Sequence, residues 1–82
     1  MNRIKILFFA TIRDKAGKKS LDLEIPNEMT VLQLKEKITN EYPNLKDSLK
    51  SVLVSVNQEY SFDDAIIPTN AEIALFPPVS GG

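Results

Sequence analysis

The sequence predicts an α+β fold, a mixed β-sheet covered on one face by one main helix. Three observations point there. Short β-branched or alternating apolar runs recur along the chain, a single helical stripe opens with a capping box, and Pro, Gly or Asn separates the segments. With 82 residues and 43% apolar content the chain suffices for one domain, near the smallest size at which a core stands without staples.

The first run, Ile4-Lys5-Ile6-Leu7-Phe8-Phe9, is short, β-branched and aromatic, as strands are. If Ile4, Ile6 and Phe8 face the helix, the period of two turns Leu7 and Phe9 to the opposite face. Thr11 to Lys19 reads as a polar connection that turns at Gly17. Leu21-Asp22-Leu23-Glu24-Ile25 alternates cleanly and marks a half-buried strand, stopped by Pro26-Asn27. The two strands pair naturally as a hairpin with a long loop.

Thr30 can cap a helix, Gln33 can reach back to it, and Met29 can staple onto Leu34. Val31, Leu34 and Ile38 then fall on one face of a helix running to about Glu41. Lys35, Glu36, Lys37 and Asn40 lie off that stripe, on an expected solvated face. Tyr42-Pro43 ends the helix, because a residue before proline avoids the α region. Asn44 to Lys50 reads as a loop pinned to the core by Leu45 and Leu49. Ser51 to Val56 is a strand with its valines on one side, Asn57-Gln58 a turn, and Glu59 to Phe62 a short return strand. After Asp63-Asp64, Ala65-Ile66-Ile67 and the breaker Pro68, residues 69–72 turn into a last strand, Ile73 to Phe76.

One helix against this run of strands is buried most economically when the last strand lies beside the first. That is the β-grasp, or ubiquitin-like, roll. Residues 1–76 form the domain, and residues 77–82 an extended tail.

Composition removes several function classes. There is no Cys and no His, hence no thiolate nucleophile, no disulfide, and neither of the usual metal ligands. Ten basic and eleven acidic residues give a net charge of −1, which favours no nucleic-acid partner. No segment has transmembrane length and the N-terminus lacks a signal-peptide pattern, so the expected location is the cytoplasm. Glu41, Asp47, Asp63 and Asp64 match no metal-binding spacing and are expected to be solvated. Arg13, Lys15, Lys18 and Lys19 are expected to be solubilising loop charges.

The tail, Pro77-Pro78-Val79-Ser80-Gly81-Gly82, is the functional candidate. Two prolines forbid helix and ladder pairing and favour a stiff polyproline projection. The glycines beyond carry no side chain, so the segment fits a narrow tunnel and presents a bare carboxylate roughly 20 Å from Phe76.

Three stretches in chain order resemble the small subunit of molybdopterin synthase, a sulfur-carrier family of the MoaD type. They are Leu7-Phe8-Phe9-Ala10 with Arg13 and Ala16-Gly17, then Val56-Asn57-Gln58, then Phe76 to Gly82. The terminal heptad is the most specific of them. The family usually enters its last strand through Gly-Asp, whereas this chain has Thr69-Asn70-Ala71; Asn tolerates the left-handed geometry such a turn needs.

The resemblance implies that Gly82, with Gly81 beside it, is adenylated and converted to a thiocarboxylate. That group would donate sulfur to a cyclic pyranopterin precursor to build the molybdopterin dithiolene. It implies two partners, a MoaE-type large subunit within a heterotetrameric synthase and a MoeB-type adenylating enzyme that uses ATP. No cofactor is expected on the carrier, which has no Gly-rich phosphate loop of its own, and no catalysis is expected from it alone. The resemblance also assigns Phe9, Tyr60 and Phe76 to the partner-facing surface, with Pro77, Pro78, Val79 and Ser80 held by the partner. From the pattern alone, Phe9 and Phe76 fit a core position equally well. Two further readings stay open: a carrier or modifier serving another recipient, such as thiamine thiazole or tRNA, and a passive interaction module.

Overall fold

Alternation within β1 (Asn2–Phe8) decides the two faces of the sheet. Ile4, Ile6 and Phe8 are buried, while Arg3 and Lys5 are exposed and Leu7 is half-buried. The computed structural model describes residues 1–78. Around β1 it arranges α1 (Ala10–Ala16), β2 (Ser20–Ile25), α2 (Val31–Glu41), a 3₁₀ turn at Pro43–Leu45, α3 (Lys46–Lys50), β3 (Leu53–Val56), β4 (Glu59–Tyr60) and β5 (Glu72–Phe76). The sheet order is β2-β1-β5-β3-β4. β5 runs parallel to β1, and the other neighbours pair antiparallel. The last strand therefore lies beside the first, as the element order predicts.

One face of this sheet packs on the helices. Ile4, Ile6 and Phe8 join Val54 and Val56 of β3 and Ile73 and Leu75 of β5, against Val31, Leu34 and Ile38 of α2 and Leu49 of α3. In register, Ile4 lies opposite Leu23 and Ile6 opposite Leu21, which sets the half-buried leucines of β2 on the same inner face. Each fully buried Ile or Leu stabilises the fold by about 1.5–3 kcal/mol through apolar area removed from water.

The start of α2 follows the sequence reading closely. The Thr30 hydroxyl accepts from the Gln33 N–H at 3.2 Å, and the Gln33 side chain accepts from the Thr30 N–H at 2.9 Å. The N–H groups of Val31 and Leu32 donate to the carbonyls of Ala65 and Asp63, both at 3.0 Å. The first-turn donors that a helix leaves without intrahelical partners are thus satisfied, two of them by the 63–65 loop. That loop explains why the return strand is shorter than expected. The Ser61 N–H still bonds to the Val54 carbonyl at 2.9 Å, but the chain then leaves the sheet to cap α2.

Several local expectations are corrected. The 11–19 connection contains helix α1, closed by Gly17 at φ 76° with its N–H on the Arg13 carbonyl. Only Ile12 of α1 is buried, so two turns of helix offered no apolar stripe to read. Residues 44–50 are not a plain loop but the 3₁₀ turn and α3, although Leu45 and Leu49 are buried as expected. β3 starts at Leu53 rather than Ser51, and β5 at Glu72 rather than Ile73. Lys35 leaves the solvated face of α2: its side chain is 17% exposed and its Nζ lies 2.6 Å from the Asp63 carboxylate. Glu41, Asp47 and Asp63 are exposed, as expected of solvated acids, and each also lies within ion-pair distance of a lysine, Lys37, Lys50 and Lys35 respectively. Lys15 and Lys18 are likewise engaged, Lys15 with the Ser48 hydroxyl at 3.1 Å and Lys18 over the Tyr42 ring at 5.6 Å.

The turn into β5 keeps its left-handed residue, with Asn70 at φ 58°. Asn2, 2% exposed, clamps it: its Nδ2 donates to the Pro68 carbonyl at 2.9 Å and its Oδ1 accepts from the Asn70 N–H at 2.8 Å. A buried amide satisfied on both sides fixes where β5 begins, and so where the chain emerges after Phe76.

Candidate functional site

The helix-free face of the sheet can be built from its register. Leu7 pairs with Ala74, Ala74 with Ser55, and Ser55 with Tyr60, which sets these four in one row across β1, β5, β3 and β4. The next row begins with Leu53 opposite Phe76. Phe9 extends it, because its N–H continues the β1–β5 ladder onto the Leu75 carbonyl at 3.3 Å. Its ring stacks on Phe76 with centroids 4.6 Å apart and planes 13° from parallel.

Chain geometry just past β1 holds Phe9 there. Ala10 adopts φ 53°, a left-handed value that a residue with a Cβ occupies at some cost, and α1 starts at once. The Phe9 carbonyl accepts from the N–H groups of Ile12 and Arg13, so the aromatic residue is anchored by its backbone on both sides. Phe9 is 39% exposed and Tyr60 76% exposed, which removes both from the core. Ala74 and Ser55, at 7% and 8%, form a floor of small side chains between them. The result is a hollow of about 300 Å³ walled by Phe9, Phe76 and Tyr60, with Gln58 and Glu72 on its rim.

The structure therefore brings Phe9, Tyr60 and Phe76 to one surface. Pro77, half-buried, and Pro78, exposed, follow directly from the stacked Phe76. Val79, Ser80, Gly81 and Gly82, where the sequence places the reactive end of the tail, lie outside the described residues. Leu53, Gln58 and Glu72 join the same surface without having been singled out as site residues. The signal for Leu53 and Glu72 was the pairing register, which a strand pattern alone does not supply, whereas Gln58, in the β3–β4 turn, stood in the Val56-Asn57-Gln58 stretch of the sequence. Phe62, 84% exposed, lines a separate hollow with Tyr60 beyond the β4 edge. Among the described residues no three His, Cys, Asp or Glu side chains converge as a metal site, and no helix is long and apolar enough to cross a membrane.

Chemically this face is apolar, aromatic and accessible. Two parallel-stacked rings offer a flat apolar platform, Tyr60 adds an aromatic with a polar tip, and the acceptors sit at the edge. Aromatic anchors around a small, desolvatable hollow are the usual centre of a protein interface.

The chain matches the ThiS family model over residues 6–82. The molybdopterin synthase sulfur carrier subunit of Dictyostelium discoideum is 42% identical over 84 residues, covering 99% of this chain and 98% of that protein. SAMP1 from Haloferax volcanii shares the fold at a TM-score of 0.86 and 24% identity, covering 99% of this chain and all (100%) of that one. The structure of a complex of subunits 1 and 2 of the molybdopterin-converting factor from Helicobacter pylori contains a chain that matches at a TM-score of 0.69 and 21% identity, covering 98% of this chain and 99% of that one. At these identities the two structures speak for the fold, which is the ubiquitin-like β-grasp. Family model and relatives agree: the chain belongs to the ThiS family, alongside the molybdopterin synthase sulfur carrier subunits.

Proposed function

We propose that this protein is the sulfur-carrier subunit of a molybdopterin synthase, with the Gly82 carboxylate as the group that carries sulfur. The observation that supports this most directly is the stacked Phe9–Phe76 platform, which ends where Pro77-Pro78 begins. A partner seated on that platform has the tail leading from its docking surface. The platform works as a handle, and Gly81-Gly82 as the deliverable end.

The chemistry divides between carrier and partners. A carboxylate is a poor electrophile, so its oxygen first attacks the α-phosphorus of ATP, releasing pyrophosphate and leaving an acyl-adenylate. A sulfide-level nucleophile then displaces AMP and leaves a thiocarboxylate on Gly82. In the synthase, the thiocarboxylate sulfur bonds to a carbon of the cyclic pyranopterin precursor, and water then cleaves the resulting thioester at the Gly82 acyl carbon, leaving the sulfur on the pterin and regenerating the carboxylate. The adenylating enzyme supplies the ATP site and the large synthase subunit the pterin site, so this chain acts as a cosubstrate in the cytoplasm and binds no cofactor itself. The absence of cysteine from the sequence is consistent with sulfur held on the terminus.

Intact-protein mass spectrometry tests the proposal after incubation with ATP, a sulfur donor and the adenylating enzyme. The expected product carries one sulfur in place of one oxygen, mapped to Gly82 and discharged by large subunit with pterin precursor. Loading without discharge would point to another recipient. Absence of loading by an enzyme active on its own carrier would leave a passive interaction module as the better account.

A further inference from the structure

The turn between β3 and β4 consists of Asn57 and Gln58, at φ 51° and 71°. Turns with two positive φ values favour Asn followed by Gly, because only glycine occupies the second position without a Cβ penalty. Asn57 has a structural reason to be there. Its N–H donates to the Glu72 carbonyl at 2.8 Å, and its Oδ1 accepts from the Glu72 N–H at 2.9 Å, tying the hairpin to the start of β5. Gln58 has no such reason. Its side chain is exposed and makes no hydrogen bond among the described residues, yet it lines the hollow with Tyr60, Phe76 and Glu72. A long side chain kept in left-handed backbone at a binding surface argues from the outlier toward a role.

The rim chemistry narrows that role. The Gln58 amide oxygen and the Glu72 carboxylate are both acceptors at the edge of an apolar hollow. Glu72 has no ion-pair partner within 4.0 Å among the described residues, although Lys5 is its in-register neighbour on β1. We propose that Gln58, with Glu72, is a specificity-determining contact for the docking partner, receiving a cationic donor, an Arg or Lys side chain, beside the apolar anchor on the Phe9–Phe76 platform. This inference rests on the helix-free face being the docking surface for the large subunit.

The test is calorimetric titration of the full-length carrier with purified large synthase subunit, alongside thermal melts. Four variants are compared with the parent: Gln58→Gly, Gln58→Asn, Glu72→Gln and Phe9→Ala. Gln58→Gly removes the amide but suits the turn, so it should melt at or above the parent while binding roughly tenfold more weakly, the size expected for a lost hydrogen bond to a charged group. Gln58→Asn keeps an amide and tolerates the left-handed backbone, and should lose less than Gln58→Gly. Glu72→Gln should flatten the salt dependence of binding. Gln58→Gly binding within about twofold of the parent, while Phe9→Ala binds weakly, would make Gln58 a turn residue only and overturn the inference. Parent-like binding by Phe9→Ala would instead remove the docking face itself, and this inference with it.

Discussion

Phe8 and Phe9 are adjacent in the chain, and the structure gives them opposite fates. Phe8 is 2% exposed in the core, whereas Phe9 is 39% exposed on the other face. Truncation to alanine should separate them cleanly. For Phe8→Ala, the lost transfer energy and the cavity left behind amount to about 3–5 kcal/mol. For Phe9→Ala, roughly three-fifths of an aromatic side chain's ~200 Å² leaves protein contact, or about 120 Å². At about 25 cal/mol per Å² that is ~3 kcal/mol as an upper bound, and the retained Cβ and the open surface bring it nearer ~2 kcal/mol. A small domain with about 5–15 kcal/mol of stability tolerates the second change and can be unfolded by the first. Binding should show the reverse emphasis. An anchor residue contributes about 2 kcal/mol or more, so Phe9→Ala should weaken the large-subunit complex roughly 30-fold or more. Urea denaturation gives the stabilities, and titration calorimetry gives the affinity. If Phe9→Ala destabilised the fold as much as Phe8→Ala, Phe9 would be a core residue and the face assignment wrong. If the folded variant bound normally, the platform would not be the docking surface.

Ile12→Ala, which removes the one buried side chain of α1, should lower stability by about 2–4 kcal/mol, read as a fall in melting temperature on the order of 10–20 °C for a domain of this size. Gly17→Ala should cost about 1 kcal/mol although no atom lies within 4 Å of an added Cβ, because φ 76° alone disfavours alanine; a denaturant midpoint equal to the parent's would refute the backbone argument. Thr30→Ala removes half of the capping box at α2 and should cost about 1 kcal/mol by the same denaturation assay, with Thr30→Ser restoring most of it.

Where a residue's partner is close in sequence, the sequence by itself determined the outcome. The capping box of Thr30 and Gln33 and the stripe of Val31, Leu34 and Ile38 depend on neighbours within about two helical turns, whereas the left-handed turn at Asn70, legible from its residue type, is also clamped by the distant Asn2. Alternation placed Ile4, Ile6 and Phe8 inside for the same reason: a strand's side chains change face at every residue. Tertiary packing decided the rest. Helix α1 has one buried residue and no side-chain cap, and its seven residues are too few to be stable on propensity alone, so docking of Ile12 is what holds it. The helix-free aromatic face depends on β5 running beside both β1 and β3, which joins residues as distant as Phe9 and Phe76 or Asn57 and Glu72. Strand alternation could name the members of each face, but only the register between strands could stack two rings 4.6 Å apart and put Gln58 and Glu72 on their rim.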